Sequence, residues 1–392
     1  MMALLTRLFG EGFRVFFLAA GVFALLAIGL WTLWLTARID LPTAAPAIQW
    51  HAHEMIFGYG GATLAGFFLT AVPNWTGAKA ARHIFITAAA LIWLAGRIAV
   101  LWSGVLPAVL VAGIDLAFLP VLCAKIATQL IRRPKPQNMM FLGLLMILLT
   151  ANLFVHLEWA GFTADTASRG LYAGLYGLVA MIAVLGGRIT PAFTRNAMTR
   201  AGRTSGLPRS FGPLDGLGVA AAIALPLATL AHLPAPMVGA IALLAGTVQI
   251  SRLAFWRTRF TLGQPILWSL HLSFGLIGLG LVLTGLAAFG SGTAIAALHL
   301  TAIGGVGGMT LAVMSRASLG HTGRPLVAPI PVALAYVLLP LAAAFRWAAS
   351  TWPGLYLPAT LTAGLLWLLA FTLYLVAFWP VFLGPRLTQS AE

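Results

Sequence analysis

Twelve apolar runs, each long enough to cross the ~30 Å of bilayer hydrocarbon at about 1.5 Å of helix rise per residue, dominate this sequence. They fall at roughly 13–37, 47–75, 83–101, 104–131, 138–157, 168–190, 214–231, 235–255, 265–288, 293–316, 329–349 and 356–383. A chain patterned in this way is expected to be an all-α polytopic membrane protein with 12 transmembrane helices. Of its 392 residues, 60% are hydrophobic and 8% charged, about a third of the ~25% charge of a soluble domain. Arg7, Glu11 and Arg14 stand close to the start of the first run, and no small-residue cleavage site follows it, so it reads as a first span and not as a signal peptide. A single cysteine, Cys123, excludes a disulfide framework or a cysteine-based metal cluster within one chain.

The charges themselves are unbalanced, with 23 basic and 8 acidic residues and a formal net charge of +15. In a soluble chain that balance would point to nucleic acid, but the apolar excess overrules it and no nucleic-acid partner is expected. Twelve spans put both termini on one side. With that side taken as the cytoplasm, nineteen of the twenty-three basic residues fall in cytoplasmic segments. Only Arg38, Arg169 and Arg346 face outward, and Arg97 lies inside the third span. The positive-inside rule therefore predicts cytoplasmic termini, and the lipid bilayer as the first partner.

A basic loop from residue 190 to 213, carrying Arg195, Arg200, Arg203 and Arg209, separates spans one to six (13–190) from spans seven to twelve (214–383) within one integral membrane domain covering 1–392. Such a 6+6 layout is common in transporters. A second internal likeness cuts across it. Gly60-Gly61-Ala62-Thr63-Leu64-Ala65 in span two matches Gly307-Gly308-Met309-Thr310-Leu311-Ala312 in span ten, and His53 and His299 precede the first glycine by seven and eight residues. Gly186-Gly187-Arg188-Ile189-Thr190 in span six is a weaker echo without the histidine. The spacing two, six, ten hints at a three-fold pseudo-repeat of four-helix units.

Ionisable groups inside a bilayer are costly and usually functional. Here they are His51, His53 and Glu54 in span two, Arg97 in span three, Asp115 in span four, His156 and Glu158 at the end of span five, His271 in span nine and His299 in span ten. His53 and His299 come out at similar depth, roughly 10 Å below the outer surface, where two imidazoles can serve as axial ligands of a b-type haem. Glycines 58, 60, 61, 304, 305, 307 and 308 would then leave room for a macrocycle, or they serve only the close approach of helices. His51 and His53 point about 200° apart on a regular helix, so they cannot share one metal; His51 either serves a different centre or is a water-solvated histidine at the mouth of a channel. With Met55 four residues on, it suits copper. His271 lies roughly 15 Å below the level of His53 and His299. It is either a ligand of a second centre, with His321 or His83 as partner, or a structural histidine hydrogen-bonded beside Ser269 and Ser273. Arg97 must be paired, and Glu54, Asp115 or a haem propionate would serve. Arg188 and Arg316, closing spans six and ten, are expected to snorkel to the interface. No phosphate-binding loop, GxSxG or HExxH motif is present.

Three blocks of sequence carry a family resemblance. They are His51-Ala52-His53-Glu54-Met55-Ile56-Phe57-Gly58-Tyr59, the run from Gly186 to Asn196 (Gly-Gly-Arg-Ile-Thr-Pro-Ala-Phe-Thr-Arg-Asn), and the run from Gly308 to Arg324 that contains Met309-Thr310-Leu311-Ala312 and His321-Thr322-Gly323. Together they resemble the NnrS family over essentially the whole chain, including the Leu-His-Leu around His271. The resemblance implies a bacterial inner-membrane protein containing haem b and copper, associated with denitrification and with protection against nitric oxide. It makes His51, His53, His271, His299 and His321 candidate metal ligands without saying which metal each binds. The haem–copper oxidases also place histidines on helices two and ten, but span six here has no histidine and span seven no His-His pair, so their copper site does not transfer. The reading is thus a haem- and copper-binding protein acting on nitric oxide, with Arg97 assisting the cofactor. The alternative is a cofactor-free secondary transporter in which Glu54 and Asp115 couple to protons.

Overall fold

The computed structural model describes residues 2–387, and all regular structure among them is helical. Twelve helices are long and apolar enough to cross a membrane: Gly12–Leu35, Ala47–Thr76, Ile84–Leu101, Ala108–Leu130, Pro136–Trp159, Thr166–Arg200, Gly212–Leu230, Ala235–Leu253, Pro265–Ala288, Ala294–His321, Ile330–Thr351 and Pro353–Leu383. These are spans 1 to 12. Prolines set several of the starts, with Pro136 and Pro265 at the first helical position, where the missing N–H has no intrahelical partner to lose. Gly77, at φ +67°, closes span 2 in the left-handed conformation that glycine adopts without a Cβ clash.

Two features depart from the sequence expectation. Span 6 does not end at residue 190 but continues through Pro191 to Arg200, and span 10 continues past residue 316 to His321. The basic loop is correspondingly shorter. The continuation is amphipathic: Thr190, Thr194, Ala197 and Met198 are buried while arginines occupy the other side, and burial of that face sustains the helix across the one hydrogen bond that Pro191 removes. Arg316 therefore does not close its helix or snorkel. It is 6% exposed and lies over the Phe193 ring, 4.0 Å from the centroid, a cation–π contact. Arg188 is exposed inside span 6.

The chain divides into two compact units. The first holds the chain through Gly177 together with Ala317–Pro325 and the segment from Tyr374 onward; the second holds Leu178–Arg316 and Leu326–Leu373. In the first, Arg14 near the start of span 1 donates to the carbonyls of Val381, Phe382 and Gly384 at 2.8–3.0 Å, fastening the end of span 12. Phe16 packs on Phe118, and Phe68 on Phe141, with ring centroids 5.9 and 5.4 Å apart. In the second, spans 8 and 9 approach closely along glycines. A Cβ on Gly246 would lie 2.5 Å from the Gly278 carbonyl oxygen, and one on Gly285 would lie 2.7 Å from that of Gly239. Small residues are what let membrane helices pack at such distances.

Spans 2 and 10 share a local irregularity. A π-helical segment, Glu54–Tyr59, follows His53 directly, and another, Leu300–Gly307, follows His299. Each runs into the Gly-Gly element, and in each Thr63 or Thr310 returns its hydroxyl to the carbonyl four residues back, Tyr59 or Val306. The likeness of the two sequences is therefore a likeness of local backbone. Span 6 shows no such segment. Single π turns inside α-helices gather at functional sites, which directs attention to His53.

Candidate functional site

Four spans of the first unit converge on a buried polar cluster. Span 2 supplies His53 and Glu54, span 3 Arg97, span 4 Asp115, and span 5 Asn152 and His156. Their exposures run from 0% for His53 to 6% for Arg97. His53 Nδ1 lies 2.9 Å from Glu54 Oε1, and its Nε2 lies 2.9 Å from Asn152 Oδ1 and 3.3 Å from Asp115 Oδ2. His156 Nε2 is 2.8 Å from Asp115 Oδ2, and Asn152 Nδ2 donates to the same oxygen at 2.8 Å. Arg97 bridges the two carboxylates, Nη1 to Glu54 Oε1 at 2.5 Å and Nη2 to Asp115 Oδ1.

Local sequence explains how these groups reach one place. Helix geometry in span 4 breaks at Ala117, because Pro120 lacks the N–H that would bond the Leu116 carbonyl, and Asp115 sits at that break. Gly96 makes room for it: a Cβ there would lie 2.9 Å from Asp115 Oδ1 and 3.2 Å from its Cα. Gly58, held by the Trp93 indole N–H at 2.9 Å, leaves space for Phe23 and Arg97. Asn152 and His156, four apart, share one face of span 5.

The hydrogen-bond pattern fixes roles. Asn152 must donate its Nδ2 to the Asp115 carboxylate, so its Oδ1 accepts from His53 Nε2, while Glu54 accepts at Nδ1. Both His53 nitrogens thus face acceptors. Two carboxylates face one guanidinium. His53, Asp115 and His156 each offer a ligand atom, and the three lie within 4.8 Å of one another, a set that could hold a metal ion. Trp159 stands 5.0 Å from the His53 ring and 5.4 Å from His156. Its indole donates to Gln49 Oε1 at 2.6 Å, and Gln49 faces Glu158 at 3.4 Å. Glu158 Oε2 accepts from Ala167 N at 2.7 Å at the start of span 6.

The other sequence candidates lie elsewhere. His51 points away from His53, half-exposed and stacked on Trp31 at 4.6 Å. Met55 lies within the π segment, so its spacing from His51 is no longer that of a regular α-helix. His271 is held by Thr194 and Thr258 at 2.8 and 2.9 Å, the arrangement of a structural histidine, with threonines from two other segments as partners. His299 Nδ1 donates to the Ile295 carbonyl at 2.8 Å, which assigns its other nitrogen the acceptor tautomer. His321 packs on Phe13, ring centroids 5.6 Å apart. His53 and His321 belong to the first unit, His299 and His271 to the second. Five of the seven glycines proposed as a macrocycle cradle are covered by side chains: Phe23 and Arg97 at Gly58, Leu276 and Ala343 at Gly304, Ile277 at Gly305, Trp367 at Gly307 and Ser273 at Gly308. Helix packing accounts for these five, which do not fit a haem in this arrangement. Arg97, which the sequence left to either carboxylate or to a propionate, takes both carboxylates.

Sequence reasoning named Asp115, His156 and Arg97 as buried ionisable groups but did not join them to His53, and it passed over Asn152 and Gly96. The spacing of Asn152 one turn before His156 was the available signal.

Comparison with curated proteins finds no match to the chain. Comparison with protein families does: the profile described as NnrS protein matches residues 7–386, nearly the full length. With twelve spans, the histidine blocks and this match in hand, the chain belongs to the NnrS family.

Proposed function

We propose that this protein is a metal-binding protein of the bacterial inner membrane that acts in nitric oxide metabolism or in resistance to nitrosative stress, with His53, Asp115 and His156 as ligands of a copper or iron ion. The observation that carries the reading is the cluster itself, three buried ligand atoms within 4.8 Å of one another, in a chain of the NnrS family. Two imidazoles and a carboxylate suit Cu(II), and the same set holds Fe(II) in non-haem sites. A bound ion of either kind would supply a one-electron couple and could take a small ligand such as NO. The chain's own residues do the rest. Glu54 orients His53 through Nδ1, Asp115 is held by Arg97 and Asn152, and Trp159 packs beside both rings. Such outer partners commonly change metal affinity by about 10–100-fold. Haem b, which the family resemblance implies, does not fit at the covered glycines, and no step is assigned to it.

Metal analysis of protein purified without chelators tests the proposal, paired with EPR and optical spectra before and after exposure to NO. About one copper or iron per chain, lost in His156→Ala and giving a nitrosyl signal only in the wild type, is the expected result. Folded, unstripped protein with neither metal would overturn it and leave the proton-coupled transporter reading, in which Glu54 and Asp115 carry the proton.

A further inference from the structure

A second polar site lies in the first unit at the opposite end of its helices, on the face that the distribution of basic residues assigns to the cytoplasm. The first turns of spans 1 and 3 and the end of span 12 meet there around a pocket of about 330 Å³, lined by Arg7, Gly10, Glu11, Arg14, Arg82, His83, Pro385 and Arg386. Four arginines face one carboxylate. That carboxylate is committed, since Glu11 Oε2 accepts from Arg14 Nε at 2.7 Å, and the other end of Arg14 is spent on three backbone carbonyls. Arg7, Arg82 and Arg386 are exposed and, among the described residues, form no ion pair. The backbone fixes the wall, with His83 N donating to the Phe9 carbonyl at 2.8 Å and Leu387 N to that of Thr322 at 2.8 Å. Arg324, just beyond span 10, shows the crowding of positive charge: burial, and after it the Arg14 charge, push its guanidinium below the usual arginine range.

The surroundings say what kind of anion fits. Apolar side chains stand exposed on the elements that carry its arginines: Ile84, two residues after Arg82 at the start of span 3, is 87% exposed, and Leu4 and Leu5 are exposed on the short helix Met2–Leu8 that carries Arg7. A guanidinium cluster recognises phosphate oxygens through paired N–H groups, and exposed apolar side chains on the same elements suit acyl chains. We propose that this pocket binds a phosphate-bearing anion in the form of an anionic phospholipid headgroup of the inner leaflet, with Arg7, Arg82 and Arg386 as its recognition residues.

Native mass spectrometry of the full chain, titrated with phosphatidylglycerol or phosphatidylcholine in detergent, tests this directly. The wild type is expected to retain phosphatidylglycerol in preference to phosphatidylcholine, and the variant Arg7→Gln/Arg82→Gln/Arg386→Gln to bind it at least about tenfold more weakly. These three side chains are exposed, so the variant should elute as the wild type does on gel filtration; Arg82→Gln alone serves if it does not, with the same direction of change. The variant Arg132→Gln/Arg133→Gln/Lys135→Gln removes as much charge from another loop on the same face and is expected to keep its lipid. Equal weakening in both triple variants, or no preference for the anionic lipid, would overturn the proposal. Displacement of the lipid by equimolar inorganic phosphate would also overturn it, since the ligand would then be a soluble anion.

Discussion

Arg97 Nη1 lies 2.5 Å from Glu54 Oε1, the same oxygen that faces His53 Nδ1 at 2.9 Å, so one carboxylate oxygen joins a membrane-embedded guanidinium to a buried imidazole. Removing the arginine strands two carboxylates in a site that is nearly closed to water. Breaking a buried pair in this way costs about 3–5 kcal/mol. Arg97→Gln is therefore expected to lower the thermal midpoint of the purified protein steeply, with loss of metal as a second effect. Arg97→Gln combined with Asp115→Asn should recover part of the midpoint without recovering the metal. A single variant as stable as the wild type would show that the ion pair is not formed.

Asn152 is placed to act on the metal through its neighbours. Its amide donates to Asp115 Oδ2 at 2.8 Å and accepts from His53 Nε2 at 2.9 Å. Asn152→Leu keeps the volume and removes both hydrogen bonds. Competition with a chelator of known affinity should report a metal affinity lower by about 10–100-fold, with the metal spectrum altered in shape where metal remains. His156→Ala, which deletes a ligand, should lose the metal outright.

Gly96 and Gly113 form a matched pair of tests on the two helices that carry Arg97 and Asp115. A Cβ at Gly96 would meet Asp115 Oδ1 at 2.9 Å, whereas at Gly113 nothing lies within 4 Å. Gly96→Ala is expected to cost about 1–3 kcal/mol through overpacking and to weaken metal binding. Gly113→Ala should be neutral or stabilising by roughly 0.5–1 kcal/mol, the helical preference of alanine over glycine. Thermal melts and metal counts on the two variants separate a steric effect at the site from a general effect of losing glycine.

The physical origin of each feature decides how much of this was legible in the sequence. Span positions were, because hydrocarbon thickness sets a length that a run of apolar residues reports directly; Ile84–Leu101 and Pro265–Ala288 fall where hydropathy puts them. The extension of span 6 to Arg200 was not, since Pro191 and the arginines beyond it carry loop signals that are overridden by burial of one face. That Arg97 needs a carboxylate followed from the cost of an unpaired charge in lipid. Which histidines join it did not, because the π segment after His53 depends on backbone hydrogen bonds five residues apart that no residue type encodes. The paired glycines of spans 2 and 10 were read as space for a macrocycle or for a helix; the side chains that fill that space come from distant parts of the chain and could be seen only in three dimensions.

His271 offers a control in which a buried membrane histidine should leave the metal alone. Both of its ring nitrogens meet threonine hydroxyls, Thr194 and Thr258, at 2.8 and 2.9 Å. Thr194→Val removes one partner with little change in shape and leaves a buried nitrogen without its hydrogen bond, a loss of about 1–3 kcal/mol. The expected outcome is a lower thermal midpoint with unchanged metal content and an unchanged NO signal. A fall in metal content in step with that of His156→Ala would make His271 a ligand.

Gly187, in the second unit, tests whether the Gly-Gly of span 6 serves packing. A Cβ there would lie 2.7 Å from Arg252 Cζ and 2.8 Å from its Nη1, so the glycine is the surface on which that guanidinium rests. Arg252 is 3% exposed; its Nε donates to Asp215 Oδ1 at 2.6 Å, and its Nη1 donates to Gln249 Oε1 at 2.7 Å. Alanine at 187 must push the guanidinium away from these partners, and overpacking of this kind costs about 1–3 kcal/mol. Arg252→Met, which removes the charge and keeps much of the volume, should tolerate alanine at 187 better than arginine does. A double-mutant cycle on thermal stability measures that coupling, and additive effects would mean that Gly187 and Arg252 do not touch.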